Sequence, residues 1–221
     1  MKQKNQYAVI GLGRFGSSVA KELIDLGYEV LGIDKDEEII EEVGKLLTHS
    51  VIADTTDEEA MRAIGIRNCD CVVVAIGDDI EASIMTTILL KDLGVQRVVA
   101  KALSELHGKV LQKMGVDRII YPEQEMGVRV ANQLVSPNLL DYIELSKEYT
   151  IAELSASKKI AGHSLKELDT RARHGCSVVA INNKHDIIIA PTAESIIEEG
   201  DIMVVIGTNE QIDKFESVIN T

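Results

Sequence analysis

The chain has 221 residues, enough for one or two domains with cores of their own. Hydrophobic residues make up 45%, which excludes a disordered chain; aromatics make up 3% and Trp is absent, so the core is built from Ile, Val, Leu and Ala and lacks the stacking platforms of single-strand nucleic-acid binders. A net charge of −13 repels nucleic-acid phosphates and anionic lipid headgroups alike, so any phosphate ligand must be held by local geometry.

Met1–Gln6 is polar and has no signal-peptide pattern, and no apolar run approaches the roughly 18 residues of a spanning helix. Direct membrane insertion is therefore not expected, which leaves docking onto a membrane protein open. Cys69, Cys71 and Cys176 are odd in number and lack C-x-x-C spacing, which suits buried thiols in a reducing, cytosolic protein.

Ala8-Val9-Ile10 reads as the end of a buried strand, and Gly11, Gly13 and Gly16 follow with the spacing G-x-G-x-x-G. Phe15, Val19 and Leu23 then recur every four residues, as on one helix face. The glycines thus sit where a strand turns into a helix. Gly11 suits a tight turn, Gly13 the approach of a pyrophosphate, and Gly16 close packing of helix on strand. The helix N-terminus offers free N–H groups and the positive end of its dipole to that pyrophosphate. A second strand, Glu29–Ile33, ends at Asp34, 18 residues beyond Gly16. An acid there accepts hydrogen bonds from ribose hydroxyls and repels a 2′-phosphate.

A helix is expected over 37–46, a strand over 49–53 ending at Asp54-Thr55, and a helix over 57–64. The run 71–76 is apolar enough for a strand covered on both faces, and it ends at Gly77. A helix over 79–93, a strand over 97–100 ending at Lys101, a helix over 104–114, and a strand over 118–121 ending at Pro122-Glu123 follow. One more helix runs to about Val135. This alternation predicts a Rossmann-like, doubly wound parallel sheet with its ligand outside the carboxyl ends of the strands.

The groups at those ends form the candidate nucleotide set: Gly11, Gly13, Arg14, Phe15, Gly16, Asp34, Lys35, Asp54, Thr55, Ile76, Gly77, Lys101, His107 and Glu123. Asp54 is either a member of the site or a cap of the following helix. Lys101 is either a phosphate contact or solvated surface. Arg14, between the second and third glycines, can fork onto terminal phosphates such as those of ATP or ADP, or point to water. Glu123 can hold a cation bound to those phosphates, or serve as an acid in a helix's first turn.

Near Ser136-Pro137-Asn138 the pattern changes to short strands, about 142–145, 150–154, 177–181, 186–190 and 201–206, with helices about 165–173 and 210–218. Asn182-Asn183-Lys184-His185 reads as a hairpin turn and Glu198-Glu199-Gly200-Asp201 as another. The domains are expected at 1–135 and 136–221, the second a small α+β unit. Its His163, His174 and His185 fall on different elements, so no metal site is expected. It carries neither a G-x-S-x-G elbow nor a Walker A lysine. A nucleotide fold without catalytic machinery suggests a sensor whose ligand shifts a conformational population. The alternative is an NAD-dependent oxidoreductase, with His163 or His174 as its acid–base residue.

The segments VIGLGRFG (9–16), IADTTDE (52–58), VAIGDDIEAS (74–83) and RIIYPEQEMG (118–127), with Asp34, closely resemble the RCK or KTN domains that regulate potassium conductance, in particular the regulatory subunits of Ktr-type uptake systems of Gram-positive bacteria. The likeness covers the full length. It implies an octameric ring of dimers, cytoplasmic and peripheral to the inner face of the cell membrane through a membrane-embedded K⁺-translocating partner. It implies that ATP and ADP compete for the first domain, with ATP activating, and that NAD(H) binds there too. By position, Arg14 would meet the terminal phosphates, Asp34 the ribose, and Asp54, Thr55 and Gly77 the adenosine side. Lys101 and Glu123 would lie near the phosphates or a bound cation. The resemblance also implies an inhibitory cyclic di-AMP site at a dimer interface of the second domain, around Arg171, Ala172, Asn182 and Pro191.

Overall fold

The computed structural model describes residues 5–183 and 186–220; Met1–Lys4, and the Lys184-His185 half of the expected hairpin turn, lie outside the described residues. The chain divides into two compact units between Gln124 and Glu125.

The first unit alternates strand and helix as the periodicity requires: β1 (Gln6–Ile10), α1 (Arg14–Asp25), β2 (Glu29–Asp34), α2 (Glu37–Val43), β3 (His49–Ile52), α3 (Glu58–Ile64), β4 (Cys71–Val74), α4 (Ile80–Asp92), β5 (Val98–Lys101), α5 (Glu105–Lys113) and β6 (Arg118–Ile120). The six strands form one parallel sheet in the order β3-β2-β1-β4-β5-β6. The order reverses between β1 and β4, the switch point at which such a sheet opens a crevice.

The side-chain period of two sorts β1 between two cores. Ala8 and Ile10 pack with Ile33, Val72, Val74, Leu90 and Leu111 on one face, while Val9 packs with Leu12, Ala20, Val30 and the α1 stripe of Phe15, Val19 and Leu23 on the other. Each fully buried aliphatic side chain contributes roughly 1.5–3 kcal/mol. All four residues of β4 are buried, which accounts for its unbroken apolar sequence. The strand leaves its β1 pairing after Val74, two residues earlier than expected, because the chain turns there past the glycine loop.

The helix α6 (Pro122–Val135) was expected to close the first domain at 135. The compact-unit division falls earlier because the helix bonds to β7 (Leu139–Glu144) of the second unit. Asn132 Nδ2 donates to Tyr142 OH at 2.9 Å, Gln133 donates to the Leu140 carbonyl at 2.7 Å, and Arg129 pairs with Asp141 at 2.7 Å.

The second unit continues with β8 (Tyr149–Ser155), α7 (Leu165–Leu168), β9 (Ser177–Asn182), β10 (Ile187–Ile189), β11 (Ile202–Thr208) and α8 (Asn209–Asn220). Its antiparallel sheet has the order β10-β9-β11-β8-β7. Every second residue of β8 and β11 is buried, under Ile212 and Phe215 of α8. The expected helix over 165–173 is shorter. Asp169 takes a left-handed conformation at φ 45° and ends α7, and Thr170–His174 continue as a π turn. Asp tolerates that conformation better than most residues, so the break falls where the sequence permits it. β7 starts three residues earlier than expected, at Leu139, with a bulge before Asp141.

Candidate functional site

The crevice at the switch point starts where β1 ends. Gly11 has φ +85°, and a Cβ there would stand 3.0 Å from the Ile76 amide nitrogen after β4. Its own N–H donates to the Ile33 carbonyl at 2.8 Å, tying the loop to the end of β2. A Cβ on Gly16 would stand only 1.8 Å from the Gly11 carbonyl oxygen, so α1 packs directly against the loop backbone. A Cβ on Gly13 would meet nothing within 4 Å. Gly13 therefore does no packing, and the space beside it is open to a ligand.

The first turn of α1 is bare. Gly13 is its N-cap and makes no side-chain cap bond, and no acidic residue follows. By contrast α2, α3, α4 and α5 are capped by Asp36, Asp57, Asp79 and Ser104. A helix leaves its first amides without intrahelical acceptors and carries about half a positive charge there. At α1, Arg14 adds a guanidinium to that end.

Asp34 closes the other side. Its Oδ2 accepts from the Leu12 amide at 2.7 Å and its Oδ1 from the Asp36 amide at 3.0 Å. Two of its roughly four acceptor positions are thus used to fix the carboxylate against the loop, and the others remain for hydroxyl donors. Leu12 is the residue that sequence reasoning missed. It lies inside the motif, but nothing in the pattern says that its amide holds the acid.

Lys101 stands at the end of β5, 6% exposed, with its Nζ 2.5 Å from Glu123 Oε1 and 5.7 Å from the centre of the Phe15 ring. A Cβ on Gly77 would come within 3.3 Å of that ammonium. The hydrogen bond from Lys101 holds the Glu123 carboxyl below its ordinary range, and Arg14 adds to this. The cation facing Glu123 here is therefore an ammonium. Among the described residues no group of three or more His, Cys, Asp and Glu could hold a metal ion.

These contacts join Gly11, Gly13, Arg14, Phe15, Gly16, Asp34, Ile76, Gly77, Lys101 and Glu123 into one mouth. The end of β3 lies beside Asp34, whose carbonyl accepts from the Ala53 amide at 2.9 Å, so Lys35, Asp54 and Thr55 follow next to it in the chain. Asp54 folds its carboxylate onto the Thr56 amide at 2.9 Å and hydroxyl at 2.7 Å; the hydroxyl bond above all lowers its pKa, and Lys35 adds to this. Asp57, not Asp54, caps the next helix. The Thr55 hydroxyl is buried against that of Thr86 at 2.8 Å, another partner with no sequence signal. His107 is buried in α5 with Nδ1 accepting from the Leu103 amide, and burial lowers its pKa.

In the second unit, Arg171 Nε donates to Ser177 Oγ at 3.0 Å, which places Arg171 and Ala172 beside the start of β9. Ala190 N bonds to the Val179 carbonyl, so Pro191 lies toward that end too. Asn182 ends β9, about 16 Å from Ser177 along the strand. One chain does not bring all four together. His174 stacks against Phe215 at 5.5 Å, in a structural role.

Comparison with known proteins gives matches over the whole chain. Residues 7–122 match the TrkA-N domain and residues 149–220 the TrkA-C domain. The chain is 46% identical over 213 residues to the Ktr system potassium uptake protein C of Bacillus subtilis, covering 96% of each. It is 46% identical over 215 residues to protein A of the same organism, covering 97% of each. Among solved structures, the GsuK channel bound to NAD has a TM-score of 0.56 at 25% identity; the match covers 99% of this chain and 39% of that one, so the chain spans well under half of the channel. Both Bacillus subtilis relatives, matched over nearly their full length, are potassium uptake proteins, and the oxidoreductase alternative is set aside.

Proposed function

We propose, from the premise that the chain belongs to the TrkA-N/TrkA-C family of potassium uptake regulators, that it binds an adenine nucleotide in the glycine crevice and passes occupancy to a membrane-embedded K⁺-translocating partner. ATP and ADP are the primary ligands and NAD(H) an alternate one. The observation that carries this reading is the convergence at one mouth of a bare helix N-terminus, Arg14, Lys101 and a carboxylate, Asp34, anchored on the loop amide of Leu12. Amides and cations serve phosphate oxygens, and Asp34 serves the ribose. That the channel relative is bound to NAD supports a nucleotide as the ligand.

The protein works as a ring of dimers, octameric, on the cytoplasmic face of the membrane. Among the described residues no helix is long and apolar enough to cross a membrane. Leu134 and Val135 are 78% and 79% exposed at the end of α6, which suits burial against another copy. Cyclic di-AMP is assigned to the second unit, with Arg171, Ala172, Asn182 and Pro191 drawn from two chains, since one chain separates them. A cation held with the nucleotide phosphates by Glu123 completes the reading.

Calorimetric titration of ATP, ADP, NADH and cyclic di-AMP into one sample, with light scattering alongside, tests it. ATP and ADP are expected to bind competitively to a species far larger than the 24.2 kDa chain. A monomer that binds none of them, or steady hydride transfer from NADH to a carbonyl panel, overturns it.

A further inference from the structure

Helix α4 is turned inside out. Met85 and Ile88 stand exposed on its outer side, whereas Ser83, Thr86 and Thr87 are fully buried. A buried hydroxyl is costly unless it is bonded, and in a helix a threonine can turn its own onto the carbonyl four residues back. Thr87 does so, donating to the Ser83 carbonyl at 2.7 Å. Thr86 instead shares a hydrogen bond with the buried Thr55 hydroxyl, 2.8 Å away and 31 positions back in the chain. The bond ends at a weakly supported place. β3 is an edge strand, paired with β2 alone, and none of its residues is fully buried. Past Ala53 the chain turns on bonds of its own making: Asp54 Oδ1 accepts from the Thr56 amide and hydroxyl, the Asp54 carbonyl accepts from the Asp57 amide, and Asp57 caps α3. Thr55 ties this self-contained turn to α4.

We infer that Thr86 is a positioning residue for the nucleotide site: through Thr55 it fixes the turn Asp54–Thr56 beside the end of β2, and so sets the affinity for the adenosine end of the ligand. This rests on the reading that an adenine nucleotide enters the crevice with its adenosine toward the ends of β2 and β3. Thr86 itself touches no ligand. Its effect is one of preorganisation: a turn already held in place need not be ordered when the ligand arrives, and that ordering cost is removed from the binding free energy. The hydroxyl is the part that matters. Valine fills nearly the same volume but offers no hydrogen bond, and it leaves the Thr55 hydroxyl buried without its partner. Serine keeps the bond and gives up only the methyl group. Because the turn serves the adenosine end, its loosening acts alike on every adenine nucleotide, whatever the number of phosphates. Loss of a group at the phosphate end, such as Arg14, acts unequally on them.

The test combines calorimetric titration of ATP and ADP with hydrogen exchange of the free protein, on wild type, Thr86→Val, Thr86→Ser, Thr55→Val and the Thr55→Val/Thr86→Val double variant. Each valine variant is expected to bind ATP and ADP more weakly by the same factor, roughly threefold to tenfold, and to exchange the amides of residues 53–57 faster while β1 and β4 amides keep their protection. Thr86→Ser should match wild type in both measurements. The double variant should lose no more than either single one, because one bond is lost once. Wild-type affinity in the valine variants overturns the inference, as does unchanged exchange at 53–57, a serine variant as weak as the valine one, a double variant that loses the sum of the singles, or a loss for ATP that exceeds the loss for ADP. Failure of the wider reading looks different: wild type binds neither ATP nor ADP, while Thr86→Val still speeds exchange at 53–57.

Discussion

The two units solve the same problem of covering a sheet, with different consequences for where a ligand can bind. In the first unit both faces of a parallel sheet are covered, and every strand delivers its next residues to the same edge. Function therefore gathers at strand ends, and the helix that faces the gathering point is the one left uncapped. In the second unit the strands run antiparallel and alternate buried with partly exposed residues, so successive strand ends point opposite ways. Its helix α7 is closed by a full capping box between Ser164 and Glu167. No single edge collects the chemistry there, and Arg171 and Asn182 end up at opposite ends of one strand.

The sharpest way to break this contrast is to unfold one unit. Phe215 is fully buried beneath the antiparallel sheet, and Phe215→Ala is expected to cost about 3–5 kcal/mol. Hydrogen exchange should show β8 and β11 amides losing protection while β1 and β4 amides keep theirs. Loss of both sets together would make the two units one cooperative block.

Within the first unit, Gly16→Ala and Gly13→Ala should separate packing from binding. The first forces a methyl group into the Gly11 carbonyl and is expected to cost about 3 kcal/mol by thermal melting. The second meets open space and should melt near wild type, yet weaken ATP by about tenfold, or 1.4 kcal/mol. If Gly13→Ala lowers the melting temperature as much as Gly16→Ala, the open side of the loop is not a ligand side.

Arg14→Ala removes a charged donor at the α1 terminus and is expected to weaken ATP by about 1–3 kcal/mol, more than ADP or adenosine. Equal losses for the three ligands, measured by titration, would remove Arg14 from the terminal phosphates.

The smallest effect sharpens the comparison without touching the site. Burial pushes the Cys69 and Cys176 thiols up to about 11 and raises that of Cys71 as well. At pH 8 all three stay protonated, so iodoacetamide should label the native protein slowly. In partial denaturant Cys69 and Cys71 report opening of the first unit and Cys176 of the second. Rapid native labelling of any of them would contradict the packing described.

Much of this was legible in the sequence because the informative residues act through the backbone. Gly11 and Gly16 encode where Cβ atoms are excluded, Gly13 leaves the loop open, and the alternation of apolar runs encodes a parallel sheet. The acid at Asp34 was legible by its spacing, but its bond to the Leu12 amide was not, since any residue supplies an amide. The pairing of Thr55 with Thr86, and of Lys101 with Glu123, joins residues 31 and 22 positions apart, a relation that only the fold creates. The break of α7 at Asp169 was missed because helical periodicity runs on through a residue whose backbone conformation changes sign.

The central claim is that occupancy of the crevice is itself the signal. Potassium flux should be measured through the membrane-embedded partner reconstituted with wild-type protein, and then with Asp34→Ala protein, each with and without ATP. The account predicts a flux that changes with ATP for wild type and is indifferent to it for Asp34→Ala. A wild-type flux unaffected by ATP under conditions where ATP is bound would contradict it.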